Sequence, residues 1–254
     1  RSSRPILLGP WRSEVGFELL YWIPFLTAFA KHHGIPKERL IYLGRGGSAS
    51  WFESAGKADL FEFLPLEAVR SLTVQQSQQT GSVKQQATEV WEQHVCALAA
   101  TSMGLKTYHV LSPTWMYQLL APFWEGSQPL TWLDSRLLHM AQMPAPSIPK
   151  SLEQQLPKEF IAMRWYARAT WPLKEGLVLW TRRLVEAVAS RIPVVIIDAG
   201  FQADDHSDIN LGTMANVYRL SELLPMTPLN NLQIQSGVIA RAQGYVGTYG
   251  GMAQ

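Results

Sequence analysis

The sequence predicts an α/β protein of two doubly wound units, and three observations carry that prediction. Short apolar, β-branched runs alternate with longer helical stretches, the pattern of parallel strands joined by crossover helices. The alternation halts once, at a proline-dense segment, and then restarts. At 254 residues the chain is long enough for two such units.

In the first unit the predicted strands are "PILLG" (5–9), "RLIYLG" (39–44), "DLFEFL" (59–64) and "KTYHVL" (106–111). Helical stretches at 16–33 and 84–103 fill the intervals. Residues 143–158, "MPAPSIPKSLEQQLPK", carry Pro144, Pro146, Pro149 and Pro157, which argues against a helix or a central strand and predicts a linker. The domains are therefore expected at 1–142 and 159–254. In the second, strands are predicted at "FIAMRW" (160–165), "VVIID" (194–198), "NVYRL" (216–220) and "YVGTY" (245–249), with helices at 174–191 and 229–242. No helix follows the last strand, so this domain is expected to be incomplete and the sequence truncated at its C-terminal end. Two such units would enclose a cleft.

Composition removes several function classes. Twenty-two Lys and Arg against 20 Asp and Glu give a net charge of +2, so no global field points to nucleic acid. A single Cys96 excludes an internal disulfide framework and fits a reducing, cytoplasmic setting. The longest apolar run, Phe17 to Ala30, contains Glu18 and Pro24 and is too short for a transmembrane span, while surface contact with a membrane stays open.

Ligands of parallel α/β sheets bind outside the carboxyl ends of the strands, so candidate chemistry is sought there. After the first strand, "GPWRSEVGFELLYW" places Glu14 in a loop, Gly16 at a helix start and Glu18 one turn on. Glu14 could take a proton from a hydroxyl, or simply complement the helix dipole. After the second strand, "LGRGGSASW" offers Arg45 and Gly46 and formally matches a dinucleotide fingerprint through Gly44, Gly46 and Ala49, with Glu62 as ribose partner. It follows the second strand and opens a short helix, so a plain glycine loop lining the cleft fits better. "FIAMRWYARATWP" delivers Arg164 and then Arg168 among aromatic residues, and arginine at a strand end can clamp phosphate bidentately. "VVIIDAGFQADDHSDINL" ends a strand at Asp198 before Asp204, Asp205, His206 and Asp208. That spacing fits no metal motif, and no metal site is expected. "GYVGTYGG" would present Thr248, Gly250 and Gly251 to an anion.

Taken together, "IAMRWYARATWP", the Asp of "VVIID" and "IQSGVIARAQGYVGTYGGMAQ" resemble the nucleotide-sugar-binding half of GT-B glycosyltransferases, in the fucosyltransferase-like and heptosyltransferase-like branches. "GPWRSEVGFELLYWIPFL" resembles the start of their acceptor half. The resemblance spans about 1–60 and 160–254. It implies two Rossmann-like domains in a bacterial, cytoplasmic transferase of polysaccharide biosynthesis. That enzyme would move a sugar from a nucleotide-diphosphate donor to a hydroxyl of a glycan or lipid-linked acceptor, without a further cofactor. Carried over residue by residue, Arg164 contacts the diphosphate, Arg168 and Asp198 join it, and Thr248, Gly250 and Gly251 hold phosphate or sugar. Glu14 would be the base of an inverting enzyme, with Gly16, Glu18, Arg45 and Gly46 on the acceptor side. The family's first-loop Asp is replaced by Glu14, and the His expected two residues before the strand arginine is Ala162. A sugar-nucleotide epimerase, an inactive sugar- or nucleotide-binding module and an NAD enzyme remain the alternatives.

Overall fold

The computed structural model describes residues 3–80, 85, 89–138, 145–167, 174–202 and 207–248. The protein is mixed α/β with parallel sheets, and it divides into two compact units, with the boundary between Pro144 and Ala145.

The first unit holds a four-stranded parallel sheet, β1 (Ile6–Leu8), β2 (Leu40–Gly44), β3 (Gly56–Asp59) and β4 (His109–Leu111), in the order β3-β2-β1-β4. β1 and β2 are buried along their whole length, as parallel strands covered on both faces must be. Leu7, Ile41 and Leu43 pack with Val95, Cys96, Ala99 and Ala100 of α4 (Val90–Ser102) and with Val69 of α3 (Leu66–Thr80). Tyr42 points into other company: its hydroxyl donates to Glu18, and its ring lies tilted against that of Phe52.

The first helix departs from a regular spiral. α1 (Val15–Phe17) passes through a π-helical turn (Glu18–Trp22) into α2 (Ile23–His33), and the Ile23 N–H reaches back five residues to the Glu18 carbonyl. Pro24 follows at once; it lacks the N–H that a regular α-helical ladder would use there. The widened turn places Trp22 against Trp11 and Phe25, with ring centroids 5.8 and 5.7 Å apart. α5 (Pro113–Trp124) starts at a Ser112 cap whose hydroxyl accepts from the Thr114 N–H, and α6 (Leu130–Asp134) follows it.

One predicted strand is displaced. "DLFEFL" forms a 3-10 turn (Leu60–Glu62) because the Asp59 carboxylate accepts the Phe61 N–H and turns the backbone. The strand is instead the less apolar "GKAD" just before it, at the sheet edge, where only part of its length is covered.

In the second unit the described part of the expected linker is built into the core. α7 (Lys150–Glu153) lies within it, and Leu152 is fully buried against Phe160, Ile234 and Val238. Prolines 146 and 149 precede that short helix and do not interrupt it, Pro149 serving as its N-cap. The sheet is again four-stranded and parallel: β5 (Ile161–Arg164), β7 (Val194–Ile196), β9 (Val217–Arg219) and β10 (Gly244–Gly247), in the order β10-β5-β7-β9. A small antiparallel pair, β6 (Tyr166–Ala167) with β8 (Ser207–Asp208), extends from the end of β5. Alternate residues face opposite layers. Ala162 and Val195 pack with α9 (Leu220–Leu223) and α10 (Asn231–Ile239), whereas Met163, Val194 and Ile196 pack with α8 (Glu175–Ala189).

Each sheet has a point where the strand order reverses. From β1 the path moves outward to β2 and β3, then returns to place β4 on the other side of β1. From β5 it moves to β7 and β9, then returns to place β10 on the other side of β5. At such reversals the loops leaving adjacent strands diverge and open a crevice at the carboxyl ends.

Candidate functional site

Arg164 is the last residue of β5 and stands at the second reversal, opposite Gly247 of β10. Its Nη1 donates to Gln235 Oε1 at 2.7 Å, and Gln235 is itself buried on α10. The Nε lies 3.9 Å from Asp208 Oδ1 and makes no hydrogen bond among the described residues. The Tyr166 ring lies 5.8 Å from the guanidinium carbon. Burial pushes the Asp208 carboxyl up while Arg164 pulls it down, and the Ala199 N–H donates to Oδ2 at 3.3 Å. Arg164 is thus a cation held in place by one neutral amide and only loosely met by an acid.

The β10 end is tied to the same residue. Thr248 donates its N–H to the Arg164 carbonyl at 3.0 Å, and its hydroxyl lies 3.4 Å from that oxygen. A side chain at Gly247 would run into the Arg164 carbonyl, so glycine is what lets the two strand ends approach. Arg164 and Thr248, predicted from separate motifs, meet here. Arg168, Gly250 and Gly251 lie outside the described residues, as do Asp204, Asp205 and His206.

Asp198 has a different place. Its carboxylate is buried and turned inward, accepting from Arg219 Nε and Nη2 and from the Ser221 N–H and hydroxyl. Those four bonds occupy about all the lone-pair sites a carboxylate offers, leaving no capacity for a ligand. The strand-end position was legible; the partners 21 and 23 residues downstream were not.

In the first unit Glu18 is the chemically distinctive carboxylate. It is wholly buried in the π turn, and its Oε1 accepts from the Tyr42 hydroxyl at 2.8 Å and from the Ser48 hydroxyl at 2.6 Å. Its Oε2 has no hydrogen-bond partner among the described residues. Burial raises its pKa to about 7, against the pull of Arg45 and the two hydroxyls. Glu14 is exposed, sits just ahead of α1 and makes no side-chain cap bond. Gly16 lies within α1, half-buried.

The glycine loop serves the interior. Gly46 and Gly47 adopt positive φ angles of 63° and 80°, and the Gly47 N–H donates to Asp59 Oδ2 at 2.7 Å. Burial lifts Asp59 to about 6 despite the backbone N–H groups of Gly47, Phe61 and Gly46. A side chain at Gly44 would meet Ser48 Oγ at 2.5 Å, so that glycine lets Ser48 fold back toward Glu18. The loop amides that a dinucleotide phosphate would need are engaged by Asp59, which removes the physical basis of the fingerprint reading. Arg45 donates through Nη2 to the Ser13 carbonyl at 2.7 Å.

Among the described residues no three His, Cys, Asp or Glu side chains gather as a metal site, and no helix is long and apolar enough to cross a membrane. No family model matches the sequence, and neither curated proteins nor solved structures provide a match.

Proposed function

We propose that the protein is a glycosyltransferase of two Rossmann-like, doubly wound domains, GT-B in type, whose second domain takes a nucleotide-diphosphate sugar. The observation that carries this reading is Arg164 at the β5/β10 strand-order reversal, fixed by Gln235 and bordered by the Thr248 end of β10. A guanidinium there can stabilise the charge that develops on a departing diphosphate. Arg168, Gly250 and Gly251 follow closely in sequence and would complete the anion site. Glu14, exposed in the loop after β1, would accept the proton of the acceptor hydroxyl, which belongs to a glycan or lipid-linked sugar. The setting proposed is cytoplasmic.

Calorimetry with UDP, GDP, ADP, CMP and dTDP tests the reading. One nucleotide should bind the wild-type protein, and Arg164→Ala should weaken it by about 1.5–3 kcal/mol, roughly 10- to 100-fold, by removing a charge-assisted bond. Binding that is equally tight in Arg164→Ala would dismiss the assignment. A nucleotide-binding module without transfer activity is the second reading, favoured by Asp198 and Glu18 both being engaged internally. Nucleotide binding without donor turnover would select it.

A further inference from the structure

Among the described residues, two arginine–aspartate pairs stand around the carboxyl ends of the second sheet, and they differ. Asp198 and Arg219 are closed on each other: the acid is 1% exposed and receives Nε and Nη2 at 3.0 and 2.6 Å. Arg164 and Asp208 are open. Nε stands 3.9 Å from Oδ1, too far for a hydrogen bond, and the two side chains are 16% and 23% exposed. Gln235 accepts from Nη1, and the guanidinium fork keeps further N–H donors for an oxyanion. Any anion it receives shares the cation with the Asp208 carboxylate.

Asp208 is held where it is. It lies in the two-stranded ribbon opposite Tyr166, and its Oδ2 accepts from the Ala199 N–H at 3.3 Å. The other charged groups that act on it, Asp198 and Arg219, neutralise each other. Its carboxylate is thus a fixed negative charge within a few ångströms of the proposed diphosphate. A site built only for tight diphosphate binding would do better with a neutral residue there.

The penalty differs between substrate and product. In a nucleotide-diphosphate sugar each phosphate carries one negative charge, because the terminal one is esterified. Sugar transfer breaks the bond between the sugar carbon and the terminal phosphate oxygen. The electron pair stays on that oxygen, the sugar joins the acceptor oxygen, and the acceptor's proton is released. The leaving diphosphate has therefore gained one negative charge, and at pH 8 its terminal phosphate holds no proton. Arg164 alone would hold that product more tightly than the donor, and a neighbouring acid offsets the difference.

We propose that Asp208 is a specificity-determining residue that favours the sugar-linked donor over the free diphosphate, and so eases release of the product. The proposal rests on the nucleotide reading of Arg164.

Calorimetry at pH 8 tests it with matched pairs: UDP and UDP-glucose, GDP and GDP-mannose, ADP and ADP-glucose, dTDP and dTDP-glucose. Asp208→Asn keeps an acceptor for the Ala199 N–H and removes the charge. It should tighten both members of the pair that binds. The free diphosphate should gain about three- to tenfold more than its sugar-linked form, the effect of one unit charge at a partly screened distance. Asp208→Glu, which keeps the charge, should keep the wild-type ratio, and raising the salt to about 0.5 M should shrink the difference. A merely structural role would move both ligands together. An unchanged ratio in folded Asp208→Asn protein, a looser diphosphate, or Asp208→Glu behaving as Asp208→Asn overturns the proposal. In each case the nucleotide reading stands if Arg164→Ala still weakens the pair. Failure of every pair to bind the wild-type protein overturns both.

Discussion

Asp198 takes both Nε and Nη2 of Arg219, at 3.0 and 2.6 Å, and so fastens the end of β7 to the end of β9. The carboxylate is nearly inaccessible, while the arginine is about a quarter exposed. Removing one partner of such a pair leaves the other without its counter-charge, and for buried pairs the loss is about 3–5 kcal/mol. Arg219 keeps some water and has a second acid, Glu222, at 3.7 Å, so Asp198→Ala should fall near or below the lower figure. Urea unfolding followed by circular dichroism measures this. A loss below about 1 kcal/mol would show that the carboxylate is not structural.

The buried carboxyl of Glu18 predicts the pH dependence of stability. Its pKa is about 7 in the folded protein against 4.5 for the free group. Between those values the folded state keeps a proton that the unfolded state has released, so stability falls as pH rises through this window. The full effect is about 3 kcal/mol, from the free-energy equivalent of each pKa step. Asp59, raised to about 6 from 3.8, adds a decline of the same sign at slightly lower pH. Glu18→Gln keeps an acceptor for Tyr42 and Ser48 but cannot ionise. It should be more stable than wild type at pH 8 and should flatten the profile above pH 6. Melting temperatures taken from pH 5 to 8 decide it, and parallel profiles for the two proteins would refute the assignment.

The strands were legible where burial on both faces produced continuous apolar runs, as in "PILLG", "RLIYLG" and "VVIID". "DLFEFL" misled because Leu60 is apolar for a different reason: it is fully buried, but in a turn set by the Asp59 carboxylate. The proline-dense segment misled through its composition, since Leu152 and Ile148 anchor it to the second core whatever its prolines do. At the candidate site Arg164 and Thr248 could be read from strand ends. Gln235 could not, because it is one polar residue of a helix and becomes significant only when β10 and α10 fold back beside β5. Glu18 was visible as a carboxylate near a helix start, yet its character depends on Tyr42 and Ser48, 24 and 30 residues away.

Two glycines of β10 make opposite predictions. A methyl group at Gly247 would run into the Arg164 carbonyl, which is backbone and cannot swing aside. A methyl group at Gly244 would meet Ile161 Cδ1 at 3.7 Å, an ordinary packing distance. Gly247→Ala should therefore cost about 1–3 kcal/mol as an overpacked site, and Gly244→Ala should be near neutral. Unfolding in urea compares them directly. Equal effects would mean that β10 does not approach β5 as closely as the register requires.

Gln235 offers a sharper test of the nucleotide site than Arg164 alone. Its Oε1 accepts from Nη1 at 2.7 Å, while Nε stands 3.9 Å from Asp208. In Gln235→Ala the arginine loses that anchor and is free to pair with the acid, competing with any diphosphate. Affinity for the nucleotide that binds best should fall about five- to tenfold, the equivalent of one ordinary hydrogen bond, since the substitution loosens the guanidinium without removing it. Because Gln235 acts only through Arg164, the two substitutions should not add: Gln235→Ala made in the Arg164→Ala background should change affinity by less than twofold, which is about 0.4 kcal/mol. Calorimetry on the four proteins of this cycle measures the coupling. Additive losses would mean that Gln235 touches the ligand itself or merely supports the fold, and the positioning role would be withdrawn.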